Sequence, residues 1–214
     1  FVDSNEPGGP TFDWIEISAT GTNLGLADDN HAFPVSLPFD FVFYGEPHNQ
    51  IAVASNGTVY FEDIYMGFSN GPIPSSNSYG VDAFIAVYWD DLAPSGSNNI
   101  YYEVVGDAPD RTLVVQWQNV AHYGASDSIT AQAQLRERDH SILLLYKNPS
   151  AEAGAGATVG IQGDISTGLQ YSYDESVLTA DLAVLFFHGL PWLEETPASG
   201  TLDSGQSVAI DVTW

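Results

Sequence analysis

A two-residue period runs through this chain. Val35, Leu37, Phe39, Phe41 and Phe43 alternate with Ser36, Pro38, Asp40 and Val42. Leu113, Val115 and Trp117 alternate with Val114, Gln116 and Gln118; Ile129, Ala131, Ala133 and Leu135 alternate with Thr130, Gln132, Gln134 and Arg136. Successive side chains of a strand point to opposite faces, so this pattern puts one apolar face against a core. Further runs predict strands over Phe12–Ala19, Ala83–Trp89, Ile100–Val105, Ile142–Lys147, Ala157–Gln162, Leu169–Tyr173 and Leu182–Phe187. Asn56-Gly57, between Ile51–Ser55 and Thr58–Asp63, predicts a hairpin with a type I′ turn, which needs positive φ at both central residues. No segment holds a helical period for three turns. Many short strands separated by Gly, Pro, Asp and Asn predict an all-β fold, an antiparallel, jelly-roll-like β-sandwich.

A chain of 214 residues buries one sizeable core. The expected division is a sandwich over residues 1–190 and a Pro-punctuated linker plus terminal strand over 191–214. In that strand Val208, Ile210, Val212 and Trp214 alternate with Ala209, Asp211 and Thr213. An unpaired strand of this kind exposes a backbone edge. It is expected to fold back on its own body or to be donated to a neighbouring copy, which would build open filaments.

Charge narrows the partners. There are 28 Asp and Glu against 4 Lys and Arg, a net charge of -24. Such a surface has almost nothing with which to neutralise phosphates, which argues against nucleic acid as a partner. Its self-repulsion is strong in dilute buffer and screened in brine, where the Debye length falls to about 3 Å at 1 M salt, so salt adaptation is expected. No apolar run approaches the ~20 residues of a membrane helix, and membrane insertion is not expected. The absence of cysteine rules out disulfides and thiolate chemistry. The opening residues carry no leader pattern, as expected of a mature chain or of a shortened one.

Residues 84–163 resemble the nidogen-like extracellular domain. The matching segments are Phe84-Ile-Ala-Val-Tyr-Trp-Asp-Asp-Leu92, Ile100-Tyr-Tyr, Leu113-Val-Val-Gln-Trp-Gln-Asn-Val120, Ala131-Gln-Ala-Gln-Leu135 and Val159-Gly-Ile161. A wider match, from Trp14-Ile-Glu-Ile-Ser-Ala-Thr-Gly21 to Gly168-Leu-Gln-Tyr-Ser-Tyr173, looks like a module of bacterial secreted and surface proteins. The segment from Pro191 to Gln206 looks like the opening of a bacterial Ig-like domain. The resemblance implies an extracellular or cell-surface, non-catalytic module that works beside copies of itself or neighbouring domains.

The residues themselves carry little catalytic chemistry. There is no Gly-x-Ser-x-Gly elbow, and the acid pairs Glu62/Asp63 and Glu194/Glu195 point to opposite faces if they lie in strands. Asp28, Asp29, Asp90 and Asp91 are the densest oxygen donors. They are the candidates for a structural Ca²⁺, against plain acidic-loop solvation. The five histidines lack zinc spacing and are read as hydrogen-bonded sandwich residues. The long Gly/Pro/Ser/Asn loop at 65–79 offers Tyr65, Phe68 and Tyr79. With Tyr123 and Trp192 these can bind polysaccharide or simply pack on the sheets. Asn56-Gly57-Thr58 matches a glycosylation sequon, though a tight turn explains it equally.

Overall fold

The computed structural model describes residues 1–75 and 81–187, and the backbone of two strands at 194–196 and 211–213. All its regular elements are strands: β1 (Val2–Asp3), β2 (Thr22–Asn23), β3 (His31–Phe43), β4 (Glu46–Ala54), β5 (Thr58–Tyr60), β6 (Phe84–Trp89), β7 (Leu92–Ala93), β8 (Ile100–Val105), β9 (Thr112–His122), β10 (Ser128–Arg136), β11 (Ile142–Asn148), β12 (Thr158–Asp164), β13 (Thr167–Tyr173), β14 (Leu182–Phe186), β15 (Glu194–Thr196) and β16 (Asp211–Thr213). The expected antiparallel β-sandwich is borne out. One sheet runs β1-β14-β11-β10-β9-β8-β2, with β7 also on β9; the other runs β13-β12-β6-β5-β4-β3. Strands β8 to β11 in the first sheet and β3 to β6 in the second pair in chain order as meanders; β14, β1 and β2 add to the first sheet out of order, and the hairpin β12–β13 returns to extend the second on β6.

The alternating residues fill the space between the sheets. Val35, Phe41, Ile51, Val59, Ile85, Val87 and Val159 from one sheet meet Val115, Trp117, Ala133, Leu144, Tyr146 and Val184 from the other in a single core. Two buried polar groups cross it. Trp117 donates its indole N–H to the Ala54 oxygen at 3.1 Å, and the Tyr146 hydroxyl donates to the Val87 oxygen at 2.7 Å.

Both outer faces are covered as well, which the sequence pattern does not show. The predicted strand Phe12–Ala19 is instead an extended strap lying across the first sheet. Phe12 and Trp14 pack on Leu143, Leu145 and Ala183, and Ile15 and Ile17 pack by Tyr101 and Val114. Side-chain amides take the place of a strand partner. Ile15 N donates to Gln132 Oε1 at 3.4 Å, and Gln132 Nε2 donates to Ile15 O at 2.7 Å; Gln134 Nε2 reaches Asp13 O at 2.8 Å. Over the second sheet the long loop does the same, burying Met66, Ile73 and Val81 against Ala52, Tyr60, Phe84 and Ala86. That loop is tied down by Ile73 N donating to Gln170 Oε1, Thr158 Oγ1 donating to Gly71 O and Trp89 Nε1 donating to Gly67 O.

At the chain's end the backbone of β16 pairs antiparallel with β15, in the register Glu194↔Thr213, Glu195↔Val212 and Thr196↔Asp211. The apolar residues proposed for that strand, Val208, Ile210 and Trp214, lie outside the described residues, as does the Val212 side chain.

Candidate functional site

The chemistry gathers where β6 ends. The first determinant is the turn after β4. Gly57 has φ +74°, and a Cβ there would stand 1.9 Å from the Tyr88 oxygen, so only glycine lets the two backbones approach this closely. The Gly57 oxygen accepts from Val87 N and Tyr88 N at 2.9 and 3.1 Å. Asn56 is not among the positive-φ residues, so the turn is not the expected type I′, and the register Val53↔Val59 spans a longer loop. The physical reason is that the Asn56 side chain is fully buried and fully employed. Its Oδ1 accepts from Leu92 N at 2.9 Å, and its Nδ2 donates to Asp29 Oδ1 at 2.9 Å and to Tyr65 OH at 2.6 Å. A sequon asparagine held this way does not present its amide for glycosylation.

Asn56 thereby fixes Asp90 and Asp91, whose side chains enter two different clusters. Asp91 joins Asp28 and Asp29 on the exposed side, their oxygens within 4.8 Å of one another. Burial, and then the charges of Asp28, Asp29 and Asp90, raise the Asp91 carboxyl above its ordinary value, with His122 opposing; burial and Asp29 raise Asp28 likewise. Asp29 adopts φ +51° and also accepts from the Tyr65 hydroxyl at 2.7 Å.

Asp90 faces the other way, toward His122 and Glu152. His122 ends β9 and is brought there by the register Leu92↔His122. Its Nε2 lies 3.3 Å from Asp90 Oδ2 and 3.1 Å from Glu152 Oε1, and its Nδ1 lies 3.3 Å from Asp127 Oδ1. The residue is 9% exposed, yet neither ring nitrogen makes a hydrogen bond of good geometry. Burial alone lowers the imidazole pKa; Asp90, Glu152 and Asp127 outweigh it and hold it above the ordinary value. Tyr88 OH donates to Glu152 Oε1 at 2.8 Å and fixes that carboxylate.

Of the four candidate aspartates, Asp28, Asp29 and Asp91 share one cluster and Asp90 stands in the other, where His122 and Glu152 join it, a grouping that spacing did not reveal. Nothing in the sequence signals that β9 would end beside β7. Of the expected aromatic ligands, Tyr65 is half-buried and committed to Asp29 and Asn56, with its ring stacked 6.0 Å from His31. Phe68 and Tyr123 are 47% and 63% exposed, and Tyr79 and Trp192 lie outside the described residues.

Comparison with known proteins places this architecture. The profile described as NIDO related matches residues 6–201. The chain belongs to the NIDO-related family. Within the curated proteins it is similar to alpha-tectorin of Gallus gallus, 24% identical over 172 residues, and to alpha-tectorin of Mus musculus, 26% identical over 172 residues. In both cases the match covers 69% of this chain and 8% of the relative's length. No solved structure matches the chain significantly. The family match takes in the strap, both sheets apart from β1, and every residue of the two clusters, so the nidogen-like resemblance read from the strands around Trp89 and Trp117 extends well beyond them.

Proposed function

We propose that this chain is a non-catalytic structural or adhesive module of an extracellular or surface protein, acting beside neighbouring domains. Membership of the NIDO-related family carries the reading, together with similarity to alpha-tectorin, of which the matched stretch is only 8%. A sandwich covered on both outer faces suits a load-bearing spacer: its sheets are sealed against further pairing on their faces, and two buried hydrogen bonds pin them together. In this reading the exposed all-oxygen triad Asp28, Asp29 and Asp91 is the place for a structural Ca²⁺, and Asp28→Asn removes any thermal stabilisation that Ca²⁺ gives to EDTA-stripped protein.

Assembly through the terminal strand would use the edge of β16 opposite β15, which pairs with no other strand among the described residues. Light scattering of the full chain, and of the chain ending at residue 190, at low and high salt tests it. A monomer in all four measurements removes strand donation. A second reading, polysaccharide binding, is favoured by the exposure of Phe68 and Tyr123. Co-sedimentation with insoluble polysaccharides that is lost in Phe68→Ala and Tyr123→Ala would favour it over the structural module.

A further inference from the structure

His122 is hard to explain as a packing residue. It is one of the few buried polar side chains whose ring nitrogens lack a well-formed hydrogen bond. Buried polar groups left without one are costly. Its Nε2 nevertheless points between two carboxylate oxygens, at 3.1 and 3.3 Å. Those distances match the edge of a tetrahedron of donors around a metal with arms of about 2.0–2.1 Å, which is roughly 3.3 Å. Asp127 Oδ1 stands 3.3 Å from Nδ1, an acidic neighbour on the far side of the ring that favours a proton on Nδ1 and a lone pair on Nε2. Tyr88 orients Glu152 from behind, and at the rim Gly156 contributes only backbone, where a Cβ would already touch the Asp90 carboxylate at 3.5 Å.

We propose that Asp90 Oδ2, His122 Nε2 and Glu152 Oε1 bind one divalent transition-metal ion, Zn²⁺ first among them. The imidazole nitrogen sets the choice. Zn²⁺ accepts mixed nitrogen and oxygen donors, whereas Ca²⁺ is held by oxygen alone. The ion ties β9, the end of β6 and the 149–157 loop together, so its role is structural cross-linking of the two sheets at one end of the sandwich. The neighbouring triad Asp28, Asp29 and Asp91 lacks a comparable buried, unsatisfied donor and is not part of this site.

The experiment uses the full chain, stripped with EDTA and held at about 0.15 M salt or more to suppress loose binding to the acidic surface. Zn²⁺ titrated by calorimetry is expected to bind at one equivalent and, at a hundredfold excess over Kd, to raise Tm by about 5–10 °C. His122→Asn and Glu152→Gln are expected to weaken binding at least tenfold, while Asp28→Asn leaves it unchanged. Co²⁺ gives a reading that does not depend on any variant folding: visible absorption of a low-symmetry site, abolished by Zn²⁺. A Co²⁺ spectrum like that of the free ion, or no Zn²⁺ equivalent and no Tm shift, overturns the site and leaves His122 as a buried side chain paired only with carboxylates.

Discussion

The hydroxyl of Tyr146, on β11, donates at 2.7 Å to the main-chain oxygen of Val87 on the facing sheet. Val87 lies where the β6–β12 register shifts, between the pairs Thr158↔Trp89 and Gly160↔Ala86, so the phenol serves a carbonyl in the irregular part of the ladder. Burial holds the Tyr146 hydroxyl well above its ordinary pKa, and it stays a neutral donor. Tyr146→Phe keeps the ring and removes only this bond. The expected loss is about 1–3 kcal/mol, because a buried acceptor is stranded. Urea denaturation measures it, and a loss below about 0.5 kcal/mol would mean that the hydroxyl does not pin the sheets.

Gln132 makes the corresponding test for the outer face. Besides its two bonds to Ile15, it donates to Gln116 Oε1 at 3.0 Å and accepts from Gln134 Nε2 at 2.9 Å. Gln132→Leu preserves volume and breaks the row. Residues 12–18 are then expected to exchange amide hydrogens and to be cleaved by protease faster than in the parent protein, while the strands of the core keep their protection. Unchanged exchange at Ile15 and Ile17 would show that apolar packing alone holds the strap.

These two bonds also mark where the sequence was legible. The inward face of nearly every strand could be read directly, because period two is set by backbone geometry. Period two accounts for only one buried face, yet Gln116, Gln132 and Gln134 on the other face are buried too. An amide that hydrogen-bonds a crossing strap looks, in sequence, the same as one that hydrogen-bonds water. At the site, Asp90-Asp91 after Trp89 announced themselves as a strand end rich in oxygen. His122 and Glu152 did not, since they arrive through the pairing of Leu92 with His122 and through a loop held by Tyr88.

Glu16 supplies a pH dependence. Burial pushes its carboxyl up, but hydrogen bonds from Gln116, Ser18 and Trp14 outweigh that and hold it well below the ordinary range. A depressed folded-state pKa adds stability that is present above the unfolded value, about 4.3, and is lost as pH falls toward the folded value. Glu16→Gln is therefore expected to cost about 1 kcal/mol or less at pH 7, since the group is 45% exposed, and the gap to the parent protein is expected to narrow steadily as pH falls below about 4 toward the folded value. Melting curves from pH 7 to pH 2 check this. A gap that stays constant into acid would trace the effect to shape and not to charge.

The acidic surface predicts a salt response. Three of the four cations are already in ion pairs, Arg111 with Glu137, Arg138 with Asp110 and Lys147 with Glu16, and four cations cannot neutralise 28 acids. Raising NaCl from about 0.01 M to 1 M screens the remaining repulsion, so Tm is expected to rise. A flat or falling Tm would show that the folded state is not strained by its own charge.

Gly57 and Gly25 separate two costs that usually come together. Both have left-handed φ, +74° and +62°, where an L-residue costs roughly 1–2 kcal/mol. Around Gly25 nothing lies within 4 Å of an added Cβ, whereas at Gly57 it would meet the Tyr88 oxygen at 1.9 Å. Gly25→Ala is therefore expected to lose only the backbone cost. Gly57→Ala must also push β6 away from the turn, breaking the bonds from Val87 N and Tyr88 N to the Gly57 oxygen and shifting the Asn56 amide from Leu92. The combined loss is expected to reach about 3–5 kcal/mol, the range of overpacking and buried-bond loss added to backbone strain. Because Asn56 positions Asp90 and Asp91, the same substitution is expected to weaken metal binding at both clusters, which Gly25→Ala leaves intact. Denaturation and Zn²⁺ titration of the two variants side by side decide the matter. Equal losses at the two glycines would mean that β6 does not need the close approach the structure shows.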